Sequence, residues 1–409
     1  MERFFLTFAI YSILYCSMSV MTSLGVMYLI PNAGTLQRLH VAFYPLAAAF
    51  IISCLSRPIV LKKNTFFVLI LLTLCIFNSL TGRDANWGPT MSSIIMPFMF
   101  AQVLGCQASK YETLSQKIQK IILWFFVINA CLAICERALS FHLFRTTSII
   151  RDMRDFRSST FFGHPLSAAS AMSVIMCFIS VSKLKPNTRI WLLVLGFLSL
   201  LCFNTRFAIV IMGMTITIVV LRMYFVERLS TSTKFGIFLF VCVSAIALTF
   251  MITETSLGGR LARMGLMDTE GSAQARLMIW DVFKKYSLED FVFGFNYAKT
   301  QHILHSAKLY GIINENPLII FLFRFGVFFT LIFILLYYRL FMGLLRKASN
   351  LVRFITIIPP LLILGAFNSI GEGDIALNVW VICFYAFLFP QTLKVKTNET
   401  DVLPPTYHQ

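Results

Sequence analysis

Apolar runs about as long as a bilayer is thick recur from one end of this chain to the other, and no other feature restricts its fold so strongly. They sit at roughly 4–30, 38–56, 65–80, 89–105, 117–138, 164–182, 190–203, 206–226, 234–253, 316–337, 352–369 and 375–390. Backbone crossing lipid must satisfy its own hydrogen bonds, so runs of this length are read as helices. Composition agrees: the chain is 58% hydrophobic and 13% charged, against about 25% charged in soluble domains. The expected fold is an all-α polytopic membrane protein of about twelve transmembrane helices, residues 1–409 forming a single integral membrane domain. The opening MERFFLTFAIYSILYC lacks a small-residue cleavage site and reads as the first span rather than a removable signal.

The formal net charge of +17 follows the loops and implies no nucleic-acid partner. With the N-terminus inside, every short inside loop is basic, as at Lys62 and Lys63, Lys183 and Lys185, and Arg346 and Lys347. The short outside connections hold only Arg38, Arg83 and Arg206, and the last carries Glu372 and Asp374. Both termini are therefore expected in the cytoplasm. Two long loops fall outside. One runs from Arg137 to Gly163, and the other, 254–315, separates the ninth span from the tenth. Both are basic on the face where few bases are expected, so an anion held against the outer leaflet would account for them. The ten cysteines lie in or beside apolar runs, without zinc spacing or an obvious disulfide pair, and read as small buried residues.

Several residues are candidates for chemistry. Arg206, in FNTRFAIVIM, stands at the outside end of a span beside Asn204 and Thr205. It is either an interfacial arginine reaching for water or a phosphate ligand donating paired hydrogen bonds. Arg276 lies in QARLMIWDVFKKY, whose apolar positions Met278, Ile279, Val282 and Phe283 fit an amphipathic surface helix. Arg260 and Arg263 share a face beside Gly258 and Gly259. Glu315 and Asn316 precede Pro317 where the long loop re-enters a span, so Asn316 is a helix cap or Glu315 a general base toward a sugar hydroxyl. Arg324, two turns deeper, can pair with a carboxylate or line a cavity. His164 lies outside in RSSTFFGHP, and His302 and His305 form an H-x-x-H pair with no third ligand by spacing, so no metal or cofactor is expected.

Four short motifs then carry a resemblance: RSSTFFGHP before a span of small residues, N-T-R ending a short span, A-R-L-x-x-W followed by F-G-F, and a polar pair opening the next span before F-G. In this order, with one long outer loop in the C-terminal half, the chain resembles the bacterial O-antigen ligase and O-antigen/exopolysaccharide polymerase superfamily. The resemblance covers Arg157 to Gly326. It implies a GT-C-like fold and a metal-independent, inverting glycosyltransferase at the periplasmic face of the inner membrane, with an undecaprenyl-diphosphate-linked glycan as donor. Arg206 and Arg276 would hold the diphosphate, with Arg157 as a further contact. Ligases open the span after the loop with His-Asn, whereas this chain has Glu315-Asn316. That departure favours a polymerase of lipid-linked repeat units, served by a chain-length regulator, over a ligase whose acceptor is the lipid A core. A lipid-linked oligosaccharide flippase or other transporter is the alternative from a different class. It is disfavoured because the polar residues gather at the outer face rather than along a path through the spans.

Overall fold

The computed structural model describes residues 1–16, 39–55, 63–81, 90–108, 112–144, 156–226, 286–295, 317–366 and 375–389, with a few single positions between them. Every regular element among the described residues is helical. In chain order they are α1 (Glu2–Tyr15), α2 (Phe43–Leu55), α3 (Lys63–Leu80), α4 (Met96–Ala108), α5 (Glu112–Leu139) and α6 (Pro165–Val181). There follow α7 (Pro186–Phe203), α8 (Arg206–Val226), the short α9 (Leu288–Phe293), α10 (Pro317–Leu344), α11 (Asn350–Ala366) and α12 (Ala376–Cys383). Among the described residues five helices are long and apolar enough to cross a membrane: Met91–Ala108, Thr113–Leu139, Pro186–Phe203, Arg206–Val226 and Phe325–Leu344. Apolar helices of 10–17 residues cover Phe43–Leu55, Asn64–Phe77, Pro165–Val181, Asn350–Ala366 and Ala376–Leu388. The protein is an all-α, membrane-embedded chain.

The first expected span, 4–30, begins as a shorter helix, since α1 ends at Tyr15 with Cys16 outside helical geometry. The expected span at 234–253 lies almost wholly outside the described residues. The region 190–226 forms two helices, divided at Asn204, which takes a left-handed conformation at φ +51°. Asparagine tolerates that conformation better than most residues, so N-T-R is a helix–turn–helix hinge in miniature.

Prolines decide how the interior is wired. Pro97, in α4, has no N–H to offer the Ser93 carbonyl one turn back, and its ring crowds that oxygen. The chain widens there into a π turn over Met91–Ile95. The Tyr337 hydroxyl, on α10, donates to the Ser93 and Ile94 carbonyls at 3.1 and 3.0 Å, and Asn378 Nδ2 donates to Ser92 at 2.8 Å. Pro360 likewise orphans the Thr356 carbonyl inside α11, and Trp380 Nε1 of α12 donates to it at 2.6 Å. A second π turn, Phe384–Leu388, is answered by the Ser115 hydroxyl, which donates to the Tyr385 and Ala386 carbonyls at 2.5 and 3.2 Å. Each of these carbonyls is thus met by a side chain from another helix, which ties together α4, α5, α10, α11 and α12.

Bases in two of the expected inner loops serve as helix ends. Arg353 Nε donates to the Leu345 carbonyl at 3.1 Å, at the end of α10, and Arg189 Nη1 to that of Ser182 at 3.3 Å, just past α6. Both lie where the helix dipole is negative.

The outer-loop motifs meet the helix that follows them. The F-G-F glycine, Gly294, ends α9, which begins with a reciprocal Ser287–Asp290 capping box. Gly326 interrupts α10 at φ +70° and ψ 176°. A Cβ on Gly326 would sit on the Gly294 amide nitrogen and the Val292 carbonyl, so the two backbones touch through glycine. The F-G pairs quoted above are two halves of one joint.

Candidate functional site

Four helix ends meet at one end of the bundle: the C-termini of α5 and α7 and the N-termini of α6 and α8. The segment 156–164 lies among them and is largely buried, with Ser158, Ser159 and Thr160 at 0% exposure. Loops usually run over a surface because buried backbone needs partners. Here the partners come from the surrounding helices. The Ser158 N–H donates to the Cys202 carbonyl at 3.1 Å, and its hydroxyl to that of Ala133 at 2.7 Å. Arg157 Nε donates to the Phe203 carbonyl at 3.1 Å. RSST is therefore docked on the last turn of α7, two residues from Thr205 and three from Arg206. The structure brings together the segments holding Arg157, His164 and Arg206, which lie far apart in sequence.

Glu136 fastens this loop from α5. One carboxylate oxygen accepts from the Ser159 and Thr160 amides at 2.9 and 3.0 Å, and the other from Leu143 at 3.1 Å. Hydrogen bonds to a charged acceptor contribute roughly 1.5–3 kcal/mol each. They hold Thr160 at φ +49°, a left-handed conformation that a β-branched residue adopts only under constraint. Arg137 adds a hydrogen bond from its guanidinium to the Phe156 carbonyl. Beneath, Phe161 and Phe162 pack on Phe125 of α5, and Tyr15 of α1 meets both Phe125 and Phe161 edge-on.

His142 follows α5 and stacks on Phe156, ring centroids 4.5 Å apart. Its Nδ1 lies 3.1 Å from the Ser159 hydroxyl and 3.7 Å from Glu136 Oε2. Its Nε2 is buried with no hydrogen-bond partner among the described residues. Neither Glu136 nor His142 stood out in the sequence. The available signal was a carboxylate inside an apolar run, which membrane helices rarely carry without a role.

His164 has a structural task. It caps α6, Nδ1 accepting from the Leu166 amide at 3.3 Å ahead of Pro165 at the first helical position. Burial, and secondarily the charge of Arg157, hold its pKa down at about 4, so it is a neutral acceptor at physiological pH. The cap engages Nδ1, which leaves Nε2–H as the side of the ring through which His164 could donate to a substrate.

At the hinge, Arg206 opens α8, where the helix dipole is already positive, so dipole stabilisation does not explain a cation there. Thr205 occupies the capping position, its carbonyl accepting from the Ile209 amide at 3.0 Å, yet its hydroxyl makes no hydrogen bond. Both polar atoms of the Asn204 side chain and the Thr160 hydroxyl are likewise without partners, and all three residues are at most 2% exposed. A buried polar group left unpaired costs about 1–3 kcal/mol, so Asn204 and Thr205 at a cationic helix start, and Thr160 on the loop docked against α7, hold hydrogen-bonding capacity that no described residue uses. The arrangement offers an anion two guanidinium-bearing segments and a helix N-terminus, with neutral hydrogen-bonding groups behind them.

Arg260, Arg263, Arg276, Glu315 and Asn316 lie outside the described residues. Arg324 falls within α10, two residues before the break at Gly326. Among the described residues no group of three or more His, Cys, Asp or Glu could hold a metal ion. No protein-family model matches this chain, and no curated protein matches it.

Proposed function

We propose that this membrane-embedded chain is a glycosyltransferase that polymerises O-antigen or exopolysaccharide repeat units on an undecaprenyl-diphosphate carrier. It would work at the periplasmic face of the bacterial inner membrane, with both termini cytoplasmic. The observation that carries the reading is the docking of RSST on the N-T-R hinge. It puts Arg157 and Arg206 on adjoining backbone at one end of the bundle, beside buried polar side chains that no described residue satisfies. A lipid-tethered diphosphate presents its charge at that depth, where guanidinium groups bind phosphate in pairs.

In this mechanism Arg157 and Arg206 grip the diphosphate, joined by Arg276 and with Arg260, Arg263 and Arg324 as further contacts. Their charge stabilises the leaving pyrophosphate as the anomeric bond breaks. The acceptor is the non-reducing sugar of a second lipid-linked unit, and Asn316 orients it at the entry of α10. Glu315 is the candidate base that the sequence offers. The requirement for a divalent cation would then be met by arginines.

The test is complementation of a deletion strain. Arg206→Ala and Arg276→Ala should each abolish long-chain glycan while protein level stays normal; normal chain length in both would remove the site. The deletion strain separates the reactions. Loss of a polymerase leaves single repeat units on the acceptor lipid, whereas full-length polymer stranded on its carrier would identify a ligase.

A further inference from the structure

The His142–Glu136 pair has the geometry of a proton acceptor, and it sits on the loop that carries Arg157. Glu136 and the Ser159 hydroxyl both face Nδ1, 3.7 and 3.1 Å away. A nucleophilic relay would need the serine on one ring nitrogen and the carboxylate on the other. With both on the same side, Ser159 is no nucleophile. Instead a carboxylate and a hydroxyl oxygen favour the tautomer with its proton on Nδ1, leaving the lone pair on Nε2. That nitrogen is buried and makes no hydrogen bond to any described residue. The ring is held in place by stacking on Phe156, and Glu136 is fixed by three backbone amides. Ser159, which touches the imidazole, is two residues from Arg157, at most about 7 Å of backbone.

We infer that His142 is a catalytic residue, the general base that takes the proton from the acceptor sugar, with Glu136 as its positioning residue. This rests on the glycosyltransferase reading above and reassigns the base from Glu315. In the step, the acceptor O–H bond breaks and its proton passes to His142 Nε2. The oxygen forms a bond to the anomeric carbon, and the carbon–oxygen bond to the diphosphate breaks with its electron pair leaving on phosphate. Nothing is oxidised or reduced. Among the described residues the carboxylate facing the imidazole is Glu136 from α5, while Arg137 from α5 and Arg157 from the buried loop hold the backbone at Phe156 and Phe203.

The experiment uses the purified full-length protein in detergent with lipid-linked repeat units extracted from the deletion strain, turnover being measured from pH 5 to 8. The wild type should lose activity toward acid, because a base that already carries a proton cannot take one from the acceptor. His142→Gln should lower turnover roughly 100-fold and bind the lipid-linked units within about twofold of wild type, its residual activity lacking the acid limb. Added imidazole should restore part of the turnover of His142→Gly. A wild-type profile flat across this range overturns the inference whether or not any variant folds. So does wild-type turnover in His142→Gln, or loss of the acid limb in Glu315→Gln instead. Arg206→Ala separates the two levels. If it is inactive while His142→Gln is normal, only the base assignment fails; if it too polymerises normally, the site itself is wrong.

Discussion

Two buried polar regions of this molecule look alike in composition and differ in what they leave over. Deep in the bundle, Tyr337, Trp380 and Ser115 reach carbonyls that prolines or π turns have released, and Asn378 retains one unpaired oxygen. At the helix-end junction, the backbone of 156–164 is satisfied with equal care. Yet the side chains of Thr160, Asn204 and Thr205 are sealed from water without partners. π turns often mark functional sites, but here their freed carbonyls are closed internally and tie helices together. Part of the unmet hydrogen-bonding capacity lies at the junction, next to the arginines, and part is spread along the helices at Asn129, Ser173 and Thr330. Proteins tolerate such deficits where a ligand completes them.

The largest effect should come from Glu136→Gln, which replaces an acceptor of three amides by a group with one accepting oxygen. About 3 kcal/mol of stability should be lost, seen as a lower thermal unfolding midpoint in detergent, together with polymerisation. A variant as stable as wild type would mean the loop is held otherwise. Asn204→Gly keeps the left-handed hinge while removing the unpaired amide. Turnover should fall at least about tenfold, near 1.4 kcal/mol, with little change in unfolding midpoint. Full activity would reduce Asn204 to a hinge residue and erase the contrast. Tyr337→Phe, which leaves the Ser93 carbonyl without its donor, should cost about 1 kcal/mol while polymer length stays normal. Shortened polymer there would place function in the deep seam as well.

The smallest effect is a pH dependence of stability. His164 is held neutral down to about pH 4, and His40, fully buried with Nδ1 accepting from the Ala42 amide at 3.1 Å, down to about 3. Burial is the main cause in both. An unfolded histidine takes up its proton near 6.5, so below that pH the unfolded chain binds more protons than the folded one. Their contribution is complete above about 6.5 and declines as acid approaches the folded values. Unfolding midpoints recorded between pH 8 and 4 should fall only on the acid side; a rise there would contradict the burial of both rings.

The helical, membrane-embedded character was legible in the sequence because apolar length is a local property, and bilayer thickness sets its scale. Arg206 and Arg157 could be picked out for the same reason, as cations at the margins of apolar runs. Their meeting could not be. It depends on a carboxylate in α5, Glu136, capturing amides more than twenty residues away, and on Arg157 reaching a carbonyl 46 positions on. Nor did the pattern distinguish His164, a helix cap, from His142, a ring with one nitrogen left over, since the two differ only in what surrounds them. Sequence alone determined that the chain is apolar enough to lie in lipid and where its charges fall along it. Which charges share a site, and which polar atoms remain unpaired, was decided by tertiary structure, because hydrogen bonding inside a bundle is settled between helices rather than along them.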